Sequence, residues 1–398
     1  MRVIIRIIIY SISKMKFSVS SKLLYSALSG VSKVINSKNT LTVLDNFLFE
    51  LDAENNILTV TASDTENTLI GRVAVTDADT SGHFLANAKR LCDIAKELPD
   101  LAVNFNIDMT TYAMKCEYPG GQFDIVAMDA NQYPVSSNPL AEITPEESAS
   151  AVELNLPCSE VLTAIDYTLF AVATDQIRPQ LLGIYWDIKD ENITFVATDT
   201  RKLVVYENSQ TKPGLTHSII LPFKPAVILK SLLKKDDEVK VLITEKSATF
   251  TTQAITLSCR LIKGNYAPYE RVIPKGNPFV ATFDRETLLA AVRRVSVCAD
   301  PTHGLTKFRF TDGKVEIKVD DTTHATFATE QVACDYTGRE LVIGFSCAYV
   351  IEILSTISTA NVLMKLADPA RPAVFVPEED SKDSKLQIIL MPMTVQEF

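Results

Sequence analysis

The chain has 398 residues, which at roughly 150 residues per domain implies two or three domains. Apolar residues make up 46% and charged residues 22%, the balance of a soluble globular protein, and 13 Gly with 18 Pro exclude collagen-like and low-complexity classes. The formal net charge of −10 excludes a protein that coats nucleic acid by bulk positive charge, but leaves room for a local basic surface.

The first 14 residues, MRVIIRIIIYSISK, are apolar and basic. They are too short to span a bilayer and no small-residue cleavage site follows, so they read as an extension or an upstream start rather than a signal peptide. Met15 then opens a well-patterned segment, and no later stretch is long enough for a transmembrane helix. The seven cysteines are scattered, with no C-x-x-C. That spacing indicates neither a disulfide framework nor a zinc site, and a reducing cytosol is the simplest compartment.

Three segments each join a strand pattern to an amphipathic helix pattern: FSVSSKLLYSALSGVSKVI from Phe17, VELNLPCSEVLTAIDYTLF from Val152 and FVATFDRETLLAAVRRVSV from Phe279. Their helical positions coincide at one offset: Leu24, Ala27, Val31; Leu162, Ile165, Leu169; Leu289, Val292 and the polar exception Ser296. Spacing i, i+3, i+7 is one helix face. Ser20, Ser159 and Asp284 are the expected N-caps. A hairpin pattern follows each helix and ends at Asp64, Asp199 and Asp320. A second helix face comes next (Leu91, Ile94, Leu98; Ala226, Leu229, Leu233; Val350, Ile353, Ile357). Alternating strands around LAVNFNI, EVKVLIT and NVLMKLA, then QFDIVAM, ITLSCRLI and LQIILMPM, close each unit. The spacing holds at 138 residues from Leu24 to Leu162 and 135 from Leu91 to Ala226. The expectation is an α+β chain of three repeated domains, 15–140, 149–275 and 278–398, after an extension at 1–14. Each has two helices packed on antiparallel sheets. Polar, Pro-containing linkers fall at 138–148 and 274–279.

Bases gather on helices. Lys22, Lys33 and Lys38 sit in a stretch with no acid, as do Lys224, Lys230, Lys234 and Lys235; Arg293 and Arg294 share one helix, and Lys89, Arg90 and Lys96 stand against Asp93 and Glu97 on another. Two helices, those of Glu160 with Asp166 and of Glu352, carry no base. Any single basic helix is an ordinary solvated face, but four of six leaning one way indicate a polyanion-facing surface. Open sheet edges at the two ends of such a chain invite head-to-tail pairing between copies. Two chains would line a hole of about 30 Å with their helices, wide enough for a duplex held by topology without base readout.

From Met15 to Phe398 the chain resembles the bacterial sliding clamps, the beta subunits of DNA polymerase III, in MKFSVSSKLL, TLTVLDN from Thr40, FVATDTRKLVV from Phe195, GNYAPYERVIPK from Gly264, IGFSCAYVIEIL from Ile343 and LMPMTV from Leu390. The resemblance implies three clamp domains per chain and a homodimeric, head-to-tail ring around double-stranded DNA, with no catalytic residue, cofactor or metal and no membrane. Its partners would be the replicative polymerase's catalytic subunit, a clamp-loader ATPase and repair proteins bearing a clamp-binding motif. The resemblance also implies a peptide-binding cleft of Leu181, Thr198, Thr200, Leu203, Arg271, Val272, Cys347, Leu390, Met391, Pro392 and Met393. It places Lys38, Lys89 and Arg178 on DNA, to which charge placement adds Lys224, Lys230, Arg293 and Arg294. Phe123 and Ile125 of one chain would meet Val297 and Cys298 of the other. The chain departs from the family in carrying Thr200-Arg201-Lys202 where Gly-His-Arg is common, Ala267-Pro268 for a proline and a polar residue, and a longer ending from Thr394 to Phe398.

Catalytic patterns are missing from the sequence. There is no Walker loop, G-x-G-x-x-G or G-x-S-x-G, and His83, His217, His303 and His324 have no ligand spacing. Asp64, Asp199 and Asp320 recur once per unit, which fits turn or strand-end roles better than metal ligation. Trp186 is expected in the core. The alternative to a clamp is a repeat-built interaction scaffold that never encircles DNA.

Overall fold

The computed structural model describes residues 14–39, 41–134, 150–300, 304–321, 323–379 and 381–395. Most of the N-terminal extension, the linker at 138–148, His303 and the last three residues lie outside them. The first repeat runs β1 (Lys14–Ser20), α1 (Ser21–Val31), β2 (Asn46–Asp52), β3 (Ile57–Ser63), β4 (Asn67–Ala74), β5 (Gly82–Asn87), α2 (Ala88–Glu97), β6 (Ala102–Asp108), β7 (Ala113–Tyr118) and β8 (Gly121–Val126). The second runs β9 (Val152–Pro157), α3 (Cys158–Thr168), β10 (Gly183–Lys189), β11 (Asn192–Thr198), β12 (Lys202–Asn208), β13 (His217–Pro222), α4 (Phe223–Leu232), β14 (Glu238–Ile243), β15 (Ser247–Thr251) and β16 (Ile255–Arg260). The third runs β17 (Phe279–Asp284), α5 (Arg285–Ser296), β18 (Leu305–Thr311), β19 (Lys314–Asp321), β20 (Thr326–Ala333), β21 (Asp335–Tyr336), β22 (Leu341–Ser346), α6 (Cys347–Thr356), β23 (Asn361–Leu366), β24 (Ala373–Pro377) and β25 (Ser384–Leu390).

These elements form two compact units, Met1–Cys158 with Ser231–Leu261, and Ser159–Lys230 with Ile262–Phe398. The first unit holds a four-stranded sheet, β1-β6-β7-β8, and an eight-stranded sheet, β5-β2-β3-β4-β16-β15-β14-β9. The second holds a nine-stranded sheet, β13-β10-β11-β12-β25-β24-β23-β17-β21, and a four-stranded sheet, β20-β19-β18-β22. The middle repeat is therefore shared, because the last strand of one repeat pairs with the hairpin strand of the repeat before it: β16 with β4, and β25 with β12.

Alternating burial in the strands produces this layering. β1 buries Met15, Phe17 and Val19 on one face, and Phe17 stacks on Phe105 at 4.8 Å. In α1, Leu24, Leu28 and Val31 are buried, and the helix packs on α2 and β4. Burying such a stripe contributes about 1.5–3 kcal/mol per large apolar side chain. Trp186 is fully buried, edge-on to Phe195. The oxygens of Ser20 and Asp284 cap α1 and α5 by accepting from the Leu23 and Thr287 N–H groups. Ser159 does not cap α3: β9 runs through Pro157 directly into a helix that starts at Cys158, so Ser159 lies inside its first turn and its carbonyl accepts from Thr163 Oγ1.

Candidate functional site

The hairpin tip between β11 and β12 builds the site in the second unit. Asp199 Oδ1 accepts the N–H groups of Arg201 and Lys202 at 2.9 Å each. Thr198 Oγ1 donates to the Lys202 carbonyl and accepts the Thr200 N–H. The tip forces Thr200 to φ +76, a left-handed conformation costly for a β-branched residue. Residue 391, just past β25, is tied to the tip because its N–H donates to the Arg201 carbonyl at 2.8 Å, and the Met393 N–H then reaches the Gly344 carbonyl. Two cavities share Met391 and Arg201. One of about 200 Å³ is lined by Leu181, Thr198, Thr200, Leu203, Val272 and Met391 among others. The other, about 630 Å³, includes Cys347, Tyr349, Pro392 and Met393.

Of the residues expected in a cleft, six line the smaller cavity, and Cys347, Pro392 and Met393 line the larger. Leu390 is fully buried in β25, and Arg271, exposed in the turn Tyr269–Arg271, lines neither. Sequence reasoning missed Tyr269, Ile389, Ala267 and Tyr349 as lining residues. The alternation of β25 was a usable signal for Ile389; Tyr349 needs the tertiary fold. Arg178, expected on DNA, is exposed and also lines the smaller cavity, at the head of the turn Pro179–Leu181 that delivers Leu181 to the floor.

A charged network underlies the groove. Lys202 is 5% exposed; its ammonium lies 2.6 Å from Glu352, 3.4 Å from Asp199 and 4.2 Å from the Tyr349 ring centroid. Tyr185 stacks on Tyr266 at 4.7 Å, and the Tyr269 hydroxyl donates to Asp187 at 3.0 Å. Burial pushes the Tyr266 and Tyr269 phenols above their usual range, so both stay protonated at neutral pH.

The first unit repeats this hairpin. Asp64 Oδ1 accepts the Glu66 and Asn67 N–H groups, Ser63 Oγ accepts from Thr65 and donates to the Asn67 carbonyl, and Thr65 has φ +80. There the N–H of Arg260 reaches the Glu66 carbonyl, and its guanidinium lies 3.6 Å from the Glu66 carboxylate. In the third repeat the turn is capped by Asp321, which takes the Thr323 and His324 N–H groups. Asp320 pairs with Phe327 inside the strands and is exposed, so the recurring aspartate sits one residue later than the sequence pattern suggested. Among the described residues no cluster of three His, Cys, Asp or Glu side chains could hold a metal ion.

The expected DNA-facing bases fall into two kinds. Lys38 and Lys89 are exposed in the first unit. In the second unit, Lys230 is paired with Asp166 at 2.6 Å, Arg293 donates to Ser355, and Arg294 forms a bidentate pair with Glu330 of β20. Lys224 is half-buried on α4. Of the expected interface residues, Phe123 stacks on Tyr118 and Ile125 is buried, both on the outer strand β8. Val297, 84% exposed, and Cys298 follow α5, and the Cys298 carbonyl accepts from Thr326 at the start of the outer strand β20.

Repeated domains, paired edge to edge and bearing a groove beside Met391, have the architecture of a non-covalent binding platform. Family models describe the particular platform. The DNA polymerase III beta subunit models match at 15–137 (N-terminal domain), 155–268 (central domain) and 270–394 (C-terminal domain). The chain belongs to this family of sliding clamps, which are non-catalytic processivity factors. It is 28% identical over 382 residues to the beta sliding clamp of Pseudomonas aeruginosa, covering 95% of this chain and all of that one. It is 26% identical over 381 residues to that of Escherichia coli, with the same coverage. A crystal structure of the P. aeruginosa sliding clamp bound to griselimycin superposes with a TM-score of 0.87 at 27% identity, over 96% of this chain and 100% of that chain.

Proposed function

We propose that two copies of this chain close head to tail around duplex DNA and slide on it, tethering the replicative polymerase and other partners through the groove beside Met391. The shared register of the internal junctions carries the reading. Leu257 of β16 stands opposite Leu69 of β4, and Ile388 of β25 opposite Val204 of β12. These are equivalent positions: Leu257 and Ile388 face Phe250 and Phe375 across their own hairpins, while Leu69 and Val204 face Ala62 and Ala197. The same positions in the outer strands β8 and β20, which have no such partner strand among the described residues, are Phe123, facing Cys116, and Ala328, facing Val319. A second copy therefore pairs β20 with β8 in the register already used twice, with Phe123 opposite Ala328.

Apolar exposure at both edges supports this closure. Val126 is 74% and Val297 84% exposed, and a cavity of about 510 Å³ lined by Ile94, Leu98, Tyr118 and Phe123 lies beside β8. Exposed Lys38 and Lys89 would meet phosphate without reading bases. A closed ring cannot thread onto endless DNA, so a loader ATPase belongs to the scheme, as do repair proteins that share the groove and a cytoplasmic location. Native mass should give a dimer of 43.9 kDa chains. That dimer should stay on nicked circular DNA and be lost on linearisation; a strict monomer, or equal escape from both templates, refutes the reading.

A further inference from the structure

The second helix of each repeat begins at the same backbone point. Asn87, Pro222 and Ser346 end the strand before it and stand opposite Asn46, Gly183 and Leu305. The residue that follows is Ala88 in α2, Phe223 in α4 and Cys347 in α6. Ala88 is 3% and Cys347 7% exposed, whereas Phe223 is 47% exposed. The middle repeat thus turns a large aromatic side chain outward at a position the other two bury. One turn further, Val227 is 39% exposed and lies on the same helix face, while Ala226, Ile228 and Leu229 anchor the helix in the core.

The charge around this apolar face suits a polyanion. Lys224 directly follows Phe223, at the position that Lys89 holds in α2, and the first turn of α4 carries no acid. The Phe223 N–H donates to the Leu182 carbonyl at 3.1 Å, which sets the start of α4 beside the turn Pro179–Leu181 and its exposed leading residue Arg178. The acid that faces α4 from α3, Asp166, is held by Lys230 at 2.6 Å.

We propose that Phe223 stacks on an unpaired nucleobase, so that the middle repeat binds single-stranded DNA through its bases as well as its phosphates. This rests on the closed-ring reading, in which α4 faces the DNA. A duplex hides the faces of its bases in its own stack, whereas an unpaired base of any identity offers a face to an aromatic side chain. Lys224 takes the neighbouring phosphate, and Val227 extends the apolar surface beside the stacked base. The contact acts where one strand ends. It holds the sliding ring at a junction of duplex and single strand and leaves it free on continuous duplex.

The test uses the full chain at low salt with labelled DNA of about 20 nucleotides in three forms: oligo-dT, an abasic strand of equal length and charge, and a duplex. Fluorescence anisotropy should find oligo-dT bound about fivefold or more tighter than the abasic strand. Phe223→Ala should reduce that gap to about twofold or less and leave duplex binding unchanged. Phe223→Trp should keep the gap and add an exposed indole that oligo-dT quenches and the abasic strand does not; the native tryptophan, Trp186, is fully buried. Equal binding of oligo-dT and the abasic strand by the unaltered chain, or binding of neither, overturns the proposal, and this comparison needs no variant to fold. A gap that survives Phe223→Ala, duplex binding that falls with it, or an indole that oligo-dT leaves unquenched overturns it as well. The closed-ring reading fails by a different result, escape of the unaltered chain from nicked circular DNA as fast as from linear DNA.

Discussion

The ammonium of Lys202 donates to the Glu352 carboxylate at 2.6 Å across 150 residues of chain, joining the hairpin tip of the second repeat to helix α6 of the third. Lys202 is 5% exposed whereas Glu352 is 43% exposed, so removing the lysine leaves a carboxylate that water can still reach. Lys202→Met should cost about 1–2 kcal/mol, and Lys202→Glu, which adds a third carboxylate beside Asp199 and Glu352, about 3–5 kcal/mol. Urea unfolding of the two variants side by side checks the order.

The turn aspartates make a sharper test of register. Asp199→Ala should cost about 1 kcal/mol, through loss of two turn hydrogen bonds. Asp321→Ala should lower the urea midpoint while Asp320→Ala leaves it unchanged. The His324 hydrogen bond, with the backbone N–H groups of His324 and Thr323, holds Asp321 below its ordinary 3.8. A carboxyl depressed in the fold stabilises above its unfolded value and loses that contribution as pH falls through the lower folded one. Asp321→Asn should therefore differ from the unaltered chain at neutral pH and converge with it in acid.

Ring closure has a residue-level signature. If Phe123 faces Ala328, then Gln122 faces Thr329, both exposed in the free chain. Paired Gln122→Cys and Thr329→Cys should give a covalent dimer on non-reducing gels, and Gln122→Cys with Gln331→Cys, two residues out of step, should give far less.

Glu160 tests the interior. It is 7% exposed, and burial lifts its carboxyl above 4.5 against the pull of hydrogen bonds from Thr211 and Asn208. The fold then holds the proton longer than the unfolded chain does. Stability should fall as pH rises from about 4.5 through the folded value, and Glu160→Gln should lack that slope. Thermal midpoints between pH 4 and 7 measure it.

Charge reversal at Lys38 and Lys89 should weaken retention on circular DNA with little change in stability, since both are exposed. Arg294→Ala should act differently. Its guanidinium is committed to Glu330, so the variant should loosen the β20 edge and shift the dimer equilibrium more than it alters salt-dependent DNA binding.

Periodicity made most of the architecture readable. Leu24, Val31, Leu289 and Val292 are buried where a helical stripe placed them, because burial of one face is what a 3.6-residue period encodes. The third turn misled by one residue: Val319 and Asp321 face inward while Asp320 faces out, and two adjacent aspartates look alike until the strand's inward side is known. Loops were the weaker ground. Arg178 carries a charge that the sequence cannot place on a surface, because its position at the groove follows from the path of the turn Pro179–Leu181. The sharing of the middle repeat depends on which edge meets which, as with Ser258 opposite Thr68, and pairing between distant strands leaves no periodic mark.

The strand seams at β4–β16 and β12–β25 are tethered within one chain, so their alignment is intramolecular and independent of how much protein is present. An identical seam made between chains must pay for lost translational freedom each time it forms. Dilution can therefore open only the seams between molecules, and linking two chains by a short tether should yield a hoop whose remaining gap reseals at any concentration.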